Sequence, residues 1–553
     1  MAKHRRVLPP LPFEHFFSYA EMEAILRGLA AARPEWARLH SLGRSREGRE
    51  LYCLTVTDAT TGPAEDKPAY LIHGNIHAGE LSGTHAALYT ARQLLADYPH
   101  KNKILAHVAF HIVPRINPDG AEVVVTTSEG VRSRTDRSIL EPNQVVPKDM
   151  NGDGLILQMR QEHPDGDRVP HPKDKRLLVR RRAHSQGPFY RVFPEGEIHD
   201  WDGSDNIRPA GRGIDWNRQW GYDWRPEPEQ GGAGDFPYSE PEMRAMAEFI
   251  TAHPNLFGIL GYHTGPAALL RPPSAGSDAD LDPADLRKMK DICLVGTRLT
   301  GLEATPVTKY AGARRPDLAL RGHFPSTGYF HFGLFVFEFE LGTMWDSAGI
   351  KWKEVTAIED EEEYEDIWRR MLAWCDRRGL TSRVFVPWKP FQHPQLGRVE
   401  IGGLVFREWA GMAMRHLRQR CEGTYRFTLY HASLHPRVRL EDVRAEAVSR
   451  DIYRIRARVA NRGELPTNIS NRGAKLRRLQ TVRVEFRLGQ GVKLLSNQAH
   501  YDLGHLSGPG GSRALEWFVR GAPGAKCRIN VHGGTGGNTG IEVFLPEHSE
   551  RAR

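Results

Sequence analysis

The sequence predicts an α/β domain, a sheet with helices on its faces, followed by a C-terminal β-sandwich. Apolar strand segments alternate with amphipathic helical segments up to about residue 385, and short alternating segments separated by Gly and Asn turns follow. A chain of 553 residues is also expected to divide its core between at least two units. We therefore assign residues 1–385 to the first domain, 386–435 to a connecting segment and 436–553 to the β-sandwich.

The first domain is predicted to open with a helix and to continue as alternating strands and helices. Ser18 and Glu21 have the spacing of a capping box, and apolar residues recur at helical intervals from Met22 up to Pro34. Further strands are predicted at residues 50–56, 69–72, 104–113, 257–262 and 334–341. Further helices are predicted at residues 81–95, 240–250, 283–299 and 361–374.

Residues 137–213 interrupt this alternation. They are rich in Pro, Gly, Asp and Arg, so we expect a long insertion that leaves the sheet. Its densest basic cluster, Arg180-Arg181-Arg182, lacks interleaved aromatic residues. We assign this cluster to an ordinary solvated surface and expect no nucleic-acid partner.

Composition excludes several classes of protein. Hydrophobic residues make up 40% of the chain and the formal charge is +8, from 76 Lys and Arg against 68 Asp and Glu, which excludes a mainly disordered chain. We find no run of about 18 apolar residues and no apolar segment after the basic start, so we expect a cytoplasmic protein without a membrane partner. The five cysteines are odd in number and never spaced as Cys-x-x-Cys, which favours neither a disulfide framework nor a thiolate metal site.

Three residues at predicted strand ends could share a metal ion. His77 and Glu80 follow a predicted strand, and their spacing lets both side chains turn toward one cation. His263 ends another strand, and a His/Glu/His set leaves one coordination position open for water, as catalytic zinc sites require. Unrelated surface side chains at 77 and 80, and a structural core histidine at 263, remain open alternatives.

Two carboxylates interrupt the otherwise apolar strand at residues 334–341. The two-residue period of a strand places Glu338 and Glu340 on one face and the phenylalanines on the other. A buried carboxylate is costly without a partner, which calls for a metal, a cation or a catalytic role. The alternative is that this face of the strand is solvated.

Five motifs resemble, in sequence and in order, those of the zinc carboxypeptidases of the carboxypeptidase A type. They are His77-x-x-Glu80, Arg115-Ile116-Asn117-Pro118-Asp119-Gly120, Asp215-Trp216-Asn217-Arg218, Tyr262-His263-Thr264 and Phe339-Glu340-Leu341. The resemblance covers roughly residues 14–380 and implies a mixed, twisted sheet flanked by helices. Residues 232–241 and the appended β-domain resemble a bacterial branch of the family.

The resemblance also implies a role for each matching residue. It implies that His77, Glu80 and His263 bind Zn²⁺, and that Glu340 is the general base and later the general acid. Three further groups of residues are implied to contact the peptide substrate. Arg134, with Arg132 as a close rival, would stabilise charge on the carbonyl oxygen, Asn217 and Arg218 would hold a free C-terminal carboxylate, and Tyr310 would cover the bound substrate.

Several positions depart from the family pattern. Gly79 stands where better-known members have an arginine, Thr264-Gly265 replaces a Ser-Tyr pair, and only Tyr329 is kept from the usual Asp-Trp-x-Tyr segment. We interpret Asn117-Pro118-Asp119-Gly120 as a turn, with Asp119 as a candidate partner of a ligand histidine. These departures affect the expected specificity more than the expected activity.

The sequence also contains a candidate Ca²⁺ site, which is separate from the zinc motifs. Asp149, Asn151 and Asp153 alternate as in the first half of an EF-hand loop, but Arg160 stands where the loop's last ligand would be glutamate. A calcium ion would therefore need a carboxylate from elsewhere in the chain. A plain Asx-rich turn is the alternative.

The sequence leaves three functional hypotheses. The first is a zinc metallocarboxypeptidase acting on peptides with a free C-terminal carboxylate. The second is a zinc amidohydrolase that deacylates small N-acyl amino acids, because the same ligand set and Asn-Arg pair serve that chemistry in related deacylases. The third is a catalytically silent binding protein that works through the β-sandwich. The length of the chain favours the first over the second, and the retained Glu340 and metal ligands disfavour the third.

Overall fold

A mixed eight-stranded sheet forms the centre of the computed structural model, which describes residues 7–133, 140–211, 213–311, 319–476, 478–496 and 498–547. The four middle strands run parallel. In spatial order the strands are Ala37–Arg44, Glu50–Val56, Ala109–Val113, Ala69–Gly74, Leu256–His263, Phe335–Glu340, Ala268–Arg271 and Ala304–Pro306. The predicted α/β fold class is confirmed.

Helices pack against this sheet and against one another. Ser82–Asp97 contacts the strands Ala69–Gly74 and Leu256–His263, and Met414–Ser433 packs against Ser82–Asp97 and Pro283–Thr300. In the described part of the chain every helix is too short or too polar to serve as a membrane span. The remaining helices are Tyr19–Ala32, Pro118–Thr127, Pro241–Ala252, Val307–Ala311, Phe324–Phe330, Met344–Ser347, Trp352–Ala357, Glu361–Arg378, Thr381–Val384, Phe406–Ala410 and Asn471–Ala474.

Local signals account for the start of two helices. The Ser18 hydroxyl accepts from the backbone N–H of Glu21, whose carboxylate accepts from the backbone N–H of Ser18, so the predicted capping box is present. Residues 117–120 are not a free turn as predicted. Asn117 caps the helix Pro118–Thr127 by accepting from the N–H of Gly120, and Pro118 occupies the first turn, where its missing N–H costs nothing.

The insertion carries strands of its own. Gln144–Pro147 pairs with Gly196–Ile198 and Arg208–Pro209 in a three-stranded sheet. A second sheet has six strands, in the order Phe385–His393, Gly397–Leu404, Gln158–Glu162, Tyr190–Pro194, Arg168–His171 and Asp174–Arg180. Residues 385–404 therefore form a hairpin that extends a sheet of the insertion.

The helix Met414–Ser433 also lies in the segment expected to be a connection. Its residues Leu417, Cys421 and Phe427 belong to the same hydrophobic core as the central sheet. The buried side of this helix includes Thr424 and Thr428 as well, which hides the amphipathic pattern in the sequence. The core of the large unit thus extends past residue 385.

The C-terminal region forms two four-stranded antiparallel sheets. Trp517 and Phe486 stack at a centroid distance of 4.8 Å in the core of this region. The first sheet has the strands Val438–Ser449, Ile452–Asn461, Ser512–Arg520 and Lys493–Leu494, and the second has His500–Asp502, Arg483–Arg487, Lys526–His532 and Asn538–Phe544. This all-antiparallel arrangement agrees with the predicted C-terminal β-domain.

His431 ties the helix Met414–Ser433 to the central sheet. Its Nδ1 lies 2.7 Å from the hydroxyl oxygen of Tyr70, and its ring centroid lies 5.0 Å from that of Phe337. Burial lowers the pKa of His431 from 6.5 to about 3. The folded protein therefore keeps this imidazole neutral under mildly acidic conditions.

Replacing His431 with Phe should reduce the acid sensitivity of the fold. Below pH 6.5 the unfolded chain protonates this imidazole while the folded protein does not, so the stability it contributes is present above 6.5 and is lost as the pH falls toward 3. Between pH 7 and pH 5, wild-type unfolding free energy should drop by about 2 kcal/mol more than that of His431→Phe, measured by urea denaturation. The exposed His100 provides the matched control, His100→Phe. An equal drop in His431→Phe and the wild type would contradict this role.

Candidate metal centre and active site

The carboxyl ends of three neighbouring parallel strands carry the candidate metal ligands and the candidate base. His77 and Glu80 follow the first strand, and His263 and Glu340 are the last residues of the other two. His263 and Glu340 are also register partners across the two strands. Open α/β sheets place their ligands at this edge.

A short loop turns the first two candidate ligands back over the sheet. Asn75 adopts a φ of 56°, and its side-chain amide donates to the carbonyl oxygens of His77 at 2.6 Å and Ala78 at 3.2 Å. A Cβ atom at Gly74 would lie 2.8 Å from the carbonyl carbon of Gly83, so glycine lets the next helix begin close to the strand. Gly74 and Asn75 therefore set the geometry of the loop.

His77, Glu80 and His263 come together as a metal-binding group. The Nδ1 atoms of His77 and His263 lie 2.7 and 2.9 Å from Oε1 and Oε2 of Glu80, respectively. The three side chains are buried, and their candidate ligand atoms all lie within 4.8 Å of one another. Two imidazole nitrogens and one carboxylate are a donor set of catalytic zinc sites, which keep the fourth position for water. The residues present therefore fit Zn²⁺.

Asp215 orients His77 from the side away from the other ligands. Its Oδ1 lies 3.2 Å from Nε2 of His77, and its Oδ2 lies 3.0 Å from Nε of Arg132 and 3.6 Å from Nη2 of Arg218. Burial raises the pKa of Asp215, but the two guanidinium groups outweigh burial and hold the pKa well below its ordinary value. Asp215 is therefore an ionised partner of His77.

Asp119, which we considered for this role, has other partners. Its carboxylate accepts hydrogen bonds from the hydroxyl of Ser45 and the guanidinium of Arg49, both at 2.7 Å. The orienting role belongs to Asp215, which lies in the same motif as the predicted Asn217 and Arg218. The sequence showed this aspartate, but not which imidazole it contacts.

Glu338 contacts the second ligand histidine. It is 1% exposed, and its Oε1 lies 3.3 Å from Nε2 of His263. Gly261, which lies on the same strand as His263 and opposite Glu338 on the next strand, makes room for this contact, since a Cβ atom there would lie 3.0 Å from Cγ of Glu338. Glu338 is therefore buried, not on a solvated face, and its partner is an imidazole.

Glu340 lies beside the metal-binding group. Its Oε2 is buried and accepts no hydrogen bond from the residues that the structure describes. Burial raises the pKa of Glu340 to about 8, with the carboxylates of Glu80 and Glu338 adding to the effect. A carboxyl group in this position can exchange protons with a neighbouring molecule.

Tyr310 lies next to Glu340. Its hydroxyl donates to the carbonyl oxygen of Pro266 at 2.8 Å. A Cβ atom at Gly265 would lie 2.7 Å from the Tyr310 hydroxyl and 2.8 Å from Oε2 of Glu340. Glycine at 265 therefore accommodates both side chains, which explains one departure from the family pattern.

Arg134 and Arg132 are the two candidates for stabilising charge on the substrate's carbonyl oxygen. Arg134 lies outside the described residues, so its role stays a prediction. Arg132, its rival, lies in the site, with Nη1 at 3.5 Å from Oε1 of Glu80. Its Nε contact to Asp215 fixes the orientation of the guanidinium.

Asn217 and Arg218 lie on a tight turn that starts at Asp215. Asn217 is 1% exposed; its Nδ2 lies 3.0 Å from Nε2 of His323, and its Oδ1 accepts from the N–H of Phe324 at 2.9 Å. Arg218 donates from Nη1 to the carbonyl oxygen of Asn217 at 2.7 Å. The amide of Asn217 thus holds the turn, while Arg218 presents a cation beside Asp215.

His323 is a residue of this region that sequence reasoning missed. Its Nδ1 lies 3.0 Å from the hydroxyl of Ser274, opposite the contact to Asn217. Burial, with the neighbouring Arg218, keeps the pKa of His323 well below its ordinary value. His323 belongs to none of the motifs identified in the sequence.

The candidate calcium ligands lie on an exposed turn. Asp149 accepts from the N–H groups of Gly152 and Gly154 at 2.7 and 2.8 Å. Asn151 accepts from the N–H of Asp153 at 2.9 Å. These contacts have the form of Asx turns, and the calcium site stays a prediction.

Two family models match the chain. A model described as zinc carboxypeptidase matches residues 22–300, and one described as a domain of unknown function matches residues 437–544. The first match includes all three candidate ligands. The second covers every strand of the two C-terminal sheets.

Curated relatives and solved structures are similar over parts of the chain. Human carboxypeptidase Z is 34% identical over 134 residues, 23% of this chain and 20% of that protein, and human carboxypeptidase D is 31% identical over 118 residues, 21% and 8%. The match therefore spans a fifth or less of the length of these relatives. Carboxypeptidase A from Helicoverpa armigera aligns over 69% of this chain and 78% of its own, with 16% identity and a TM-score of 0.38. Because the zinc carboxypeptidase model matches just over half of the 553 residues, the chain belongs to the zinc carboxypeptidase family.

Proposed function

We propose that the protein is a zinc-dependent metallocarboxypeptidase that hydrolyses the C-terminal peptide bond of peptides. The observation that supports this most is the convergence of His77, Glu80 and His263, with Glu340 in register beside His263. A Zn²⁺ ion held by these three residues would polarise the substrate carbonyl and lower the pKa of a water molecule.

Glu340 is the residue that we propose to move protons. Its carboxylate takes a proton from the attacking water and later donates it to the leaving amine. The buried Oε2, which accepts no hydrogen bond from the described residues, is available for both steps. Arg134, or its rival Arg132, whose Nη1 lies 3.5 Å from Oε1 of Glu80, would donate to the carbonyl oxygen as negative charge develops there.

Arg218 is the proposed clamp for the free C-terminal carboxylate. The planar guanidinium can donate to both carboxylate oxygens at once, which a single ammonium group does less well. Its contacts to Asp215 and to the Asn217 carbonyl oxygen hold it in place. A clamp of this kind restricts cleavage to the end of a peptide, and Tyr310 is the candidate to cover the bound residue.

Removing the charge of Arg218 should separate substrates by their C-terminus. Arg218→Met should lower kcat/KM for a peptide with a free carboxylate about 100-fold, since hydrogen bonds to charged groups are worth up to about 3 kcal/mol. The amidated peptide should be a poor substrate for wild type and variant alike. Steady-state kinetics on the two peptides measures both effects, with Glu340→Gln as a control that slows every substrate by about 10²- to 10⁴-fold.

Three results would contradict parts of this proposal. Equal wild-type turnover of the free and amidated peptides would exclude the Arg218 clamp. Hydrolysis confined to small N-acyl amino acids would support the zinc amidohydrolase instead. Zinc binding without hydrolysis of either class would support the silent binding protein.

Glu338→Gln should weaken zinc binding. Ligand histidines donate their second N–H to a partner, and loss of such a partner costs roughly 10- to 100-fold in metal affinity. We expect this loss because Glu338 contacts Nε2 of His263. Competition with a chelator measures the zinc dissociation constant.

Glu340→Gln is the matched control for this measurement. It changes a glutamate on the same face of the same strand and should lose activity while keeping its zinc affinity. Unchanged zinc affinity in Glu338→Gln would show that Glu338 does not support the metal site.

A further inference from the structure

A cavity of about 770 Å³ lies next to the metal centre. One wall comes from the insertion, including Leu178 and Val192, and the other from the segments that carry Trp368, Trp388 and Trp409. Its volume is typical of sites that bind small ligands or short peptide segments. We call it the aromatic cavity.

Two residues connect the aromatic cavity to the metal centre. Arg132 lines the cavity while its Nη1 lies 3.5 Å from Oε1 of Glu80. Phe406 also lines it, and its ring fills the space next to Gly79, where a Cβ atom would lie 2.6 Å from Cε1 of Phe406. An aromatic ring thus stands beside the loop that carries the first two ligands, at a position where better-known family members have an arginine.

The cavity lies on the Arg132 side of the metal centre. Among the described residues, those around the proposed carboxylate clamp, Asn217, Arg218 and His323, do not line it. If the C-terminal carboxylate of a peptide is held at Arg218, the residues before the scissile bond must leave the metal centre in another direction. The aromatic cavity, which Arg132 lines beside the metal centre, is a candidate for that direction.

Packed aromatic rings form the second wall. The ring centroids of Trp368 and Trp409 lie 4.9 Å apart, and those of Phe406 and Trp409 lie 5.4 Å apart, both edge to face. Trp388 is held by a hydrogen bond from its Nε1 to the carbonyl oxygen of Arg176 at 3.0 Å. These contacts fix a rigid apolar surface that costs little entropy to bind against.

Two of the charged residues that line the cavity, Arg176 and Glu365, are paired with residues outside the lining. Arg176 contacts both Asp174 and Asp376, and Glu365 contacts Arg182. These two groups already have partners, which leaves the aromatic wall as the surface that an apolar side chain would contact.

We propose that the aromatic cavity binds bulky apolar side chains of the residues on the N-terminal side of the scissile bond. This inference rests on the proposed carboxypeptidase function and names its substrate class: peptides whose residues before the cleaved bond are aromatic or large and aliphatic. The apolar side chains of the substrate would contact the two walls of the cavity, which come from the insertion and from residues 361–409.

Binding to the catalytically inactive Glu340→Gln protein tests this proposal without turnover. Calorimetry would compare acetyl-Phe-Phe-Phe-Gly with acetyl-Ser-Ser-Ser-Gly, and we expect the first to bind at least about tenfold more tightly. Adding Trp409→Ala, or Leu178→Trp to fill the cavity, should bring the two affinities within about twofold. Trp374→Ala is the matched control, because Trp374 lies on the same helix as Trp368 but packs near His416 outside the cavity.

The outcomes separate this inference from the proposed function. Equal affinity for the two peptides, or a preference that survives both Trp409→Ala and Leu178→Trp, would overturn it. Wild-type hydrolysis with a kcat/KM that does not depend on the apolar residues would leave the carboxypeptidase standing and remove the cavity's role. A preference in binding that is lost in both cavity variants would support the cavity even if no peptide were cleaved.

Discussion

The contacts of one largely buried carboxylate, Asp215, hold the residues of the candidate site together. It contacts the far nitrogen of His77 and the guanidinium groups of Arg132 and Arg218. Removing it would leave Arg218 and the partly exposed Arg132 with less counter-charge, which should disturb the arrangement of both guanidinium groups. A candidate metal ligand, the candidate group for carbonyl charge and the candidate carboxylate clamp therefore share one support.

Local sequence patterns predicted the strands and loops that carry the site. They could not predict the parts of the fold that form by pairing of strands far apart in the sequence. His77, Glu80 and His263 follow apolar runs, so their positions at strand ends could be read from neighbouring residues. The six-stranded sheet could not be predicted in this way, because it brings Arg160 into contact with Glu400, which lies 240 positions later in the chain. The sequence around each strand contains no signal for such a partner.

The same limit applies within the site. Asp119 and Asp215 both lie in motifs of the family, but only the folded chain shows that Asp215 reaches a ligand histidine. The sequence shows Glu338 as a carboxylate in an apolar strand, but it does not show whether this carboxylate faces solvent or contacts His263. The departure at Gly79 is explained by Phe406, a ring that lies more than 300 positions later in the sequence.

The hairpin of residues 385–404 has a consequence for the order in which the protein is made. It contributes Trp388 to the aromatic cavity, and it follows Glu340, the last of the candidate catalytic residues in the chain. Because a chain emerges from the ribosome from its N-terminus, the candidate metal ligands and Glu340 are synthesised before this hairpin. A growing polypeptide therefore passes through a stage in which the candidate catalytic residues exist and the proposed substrate cavity is incomplete.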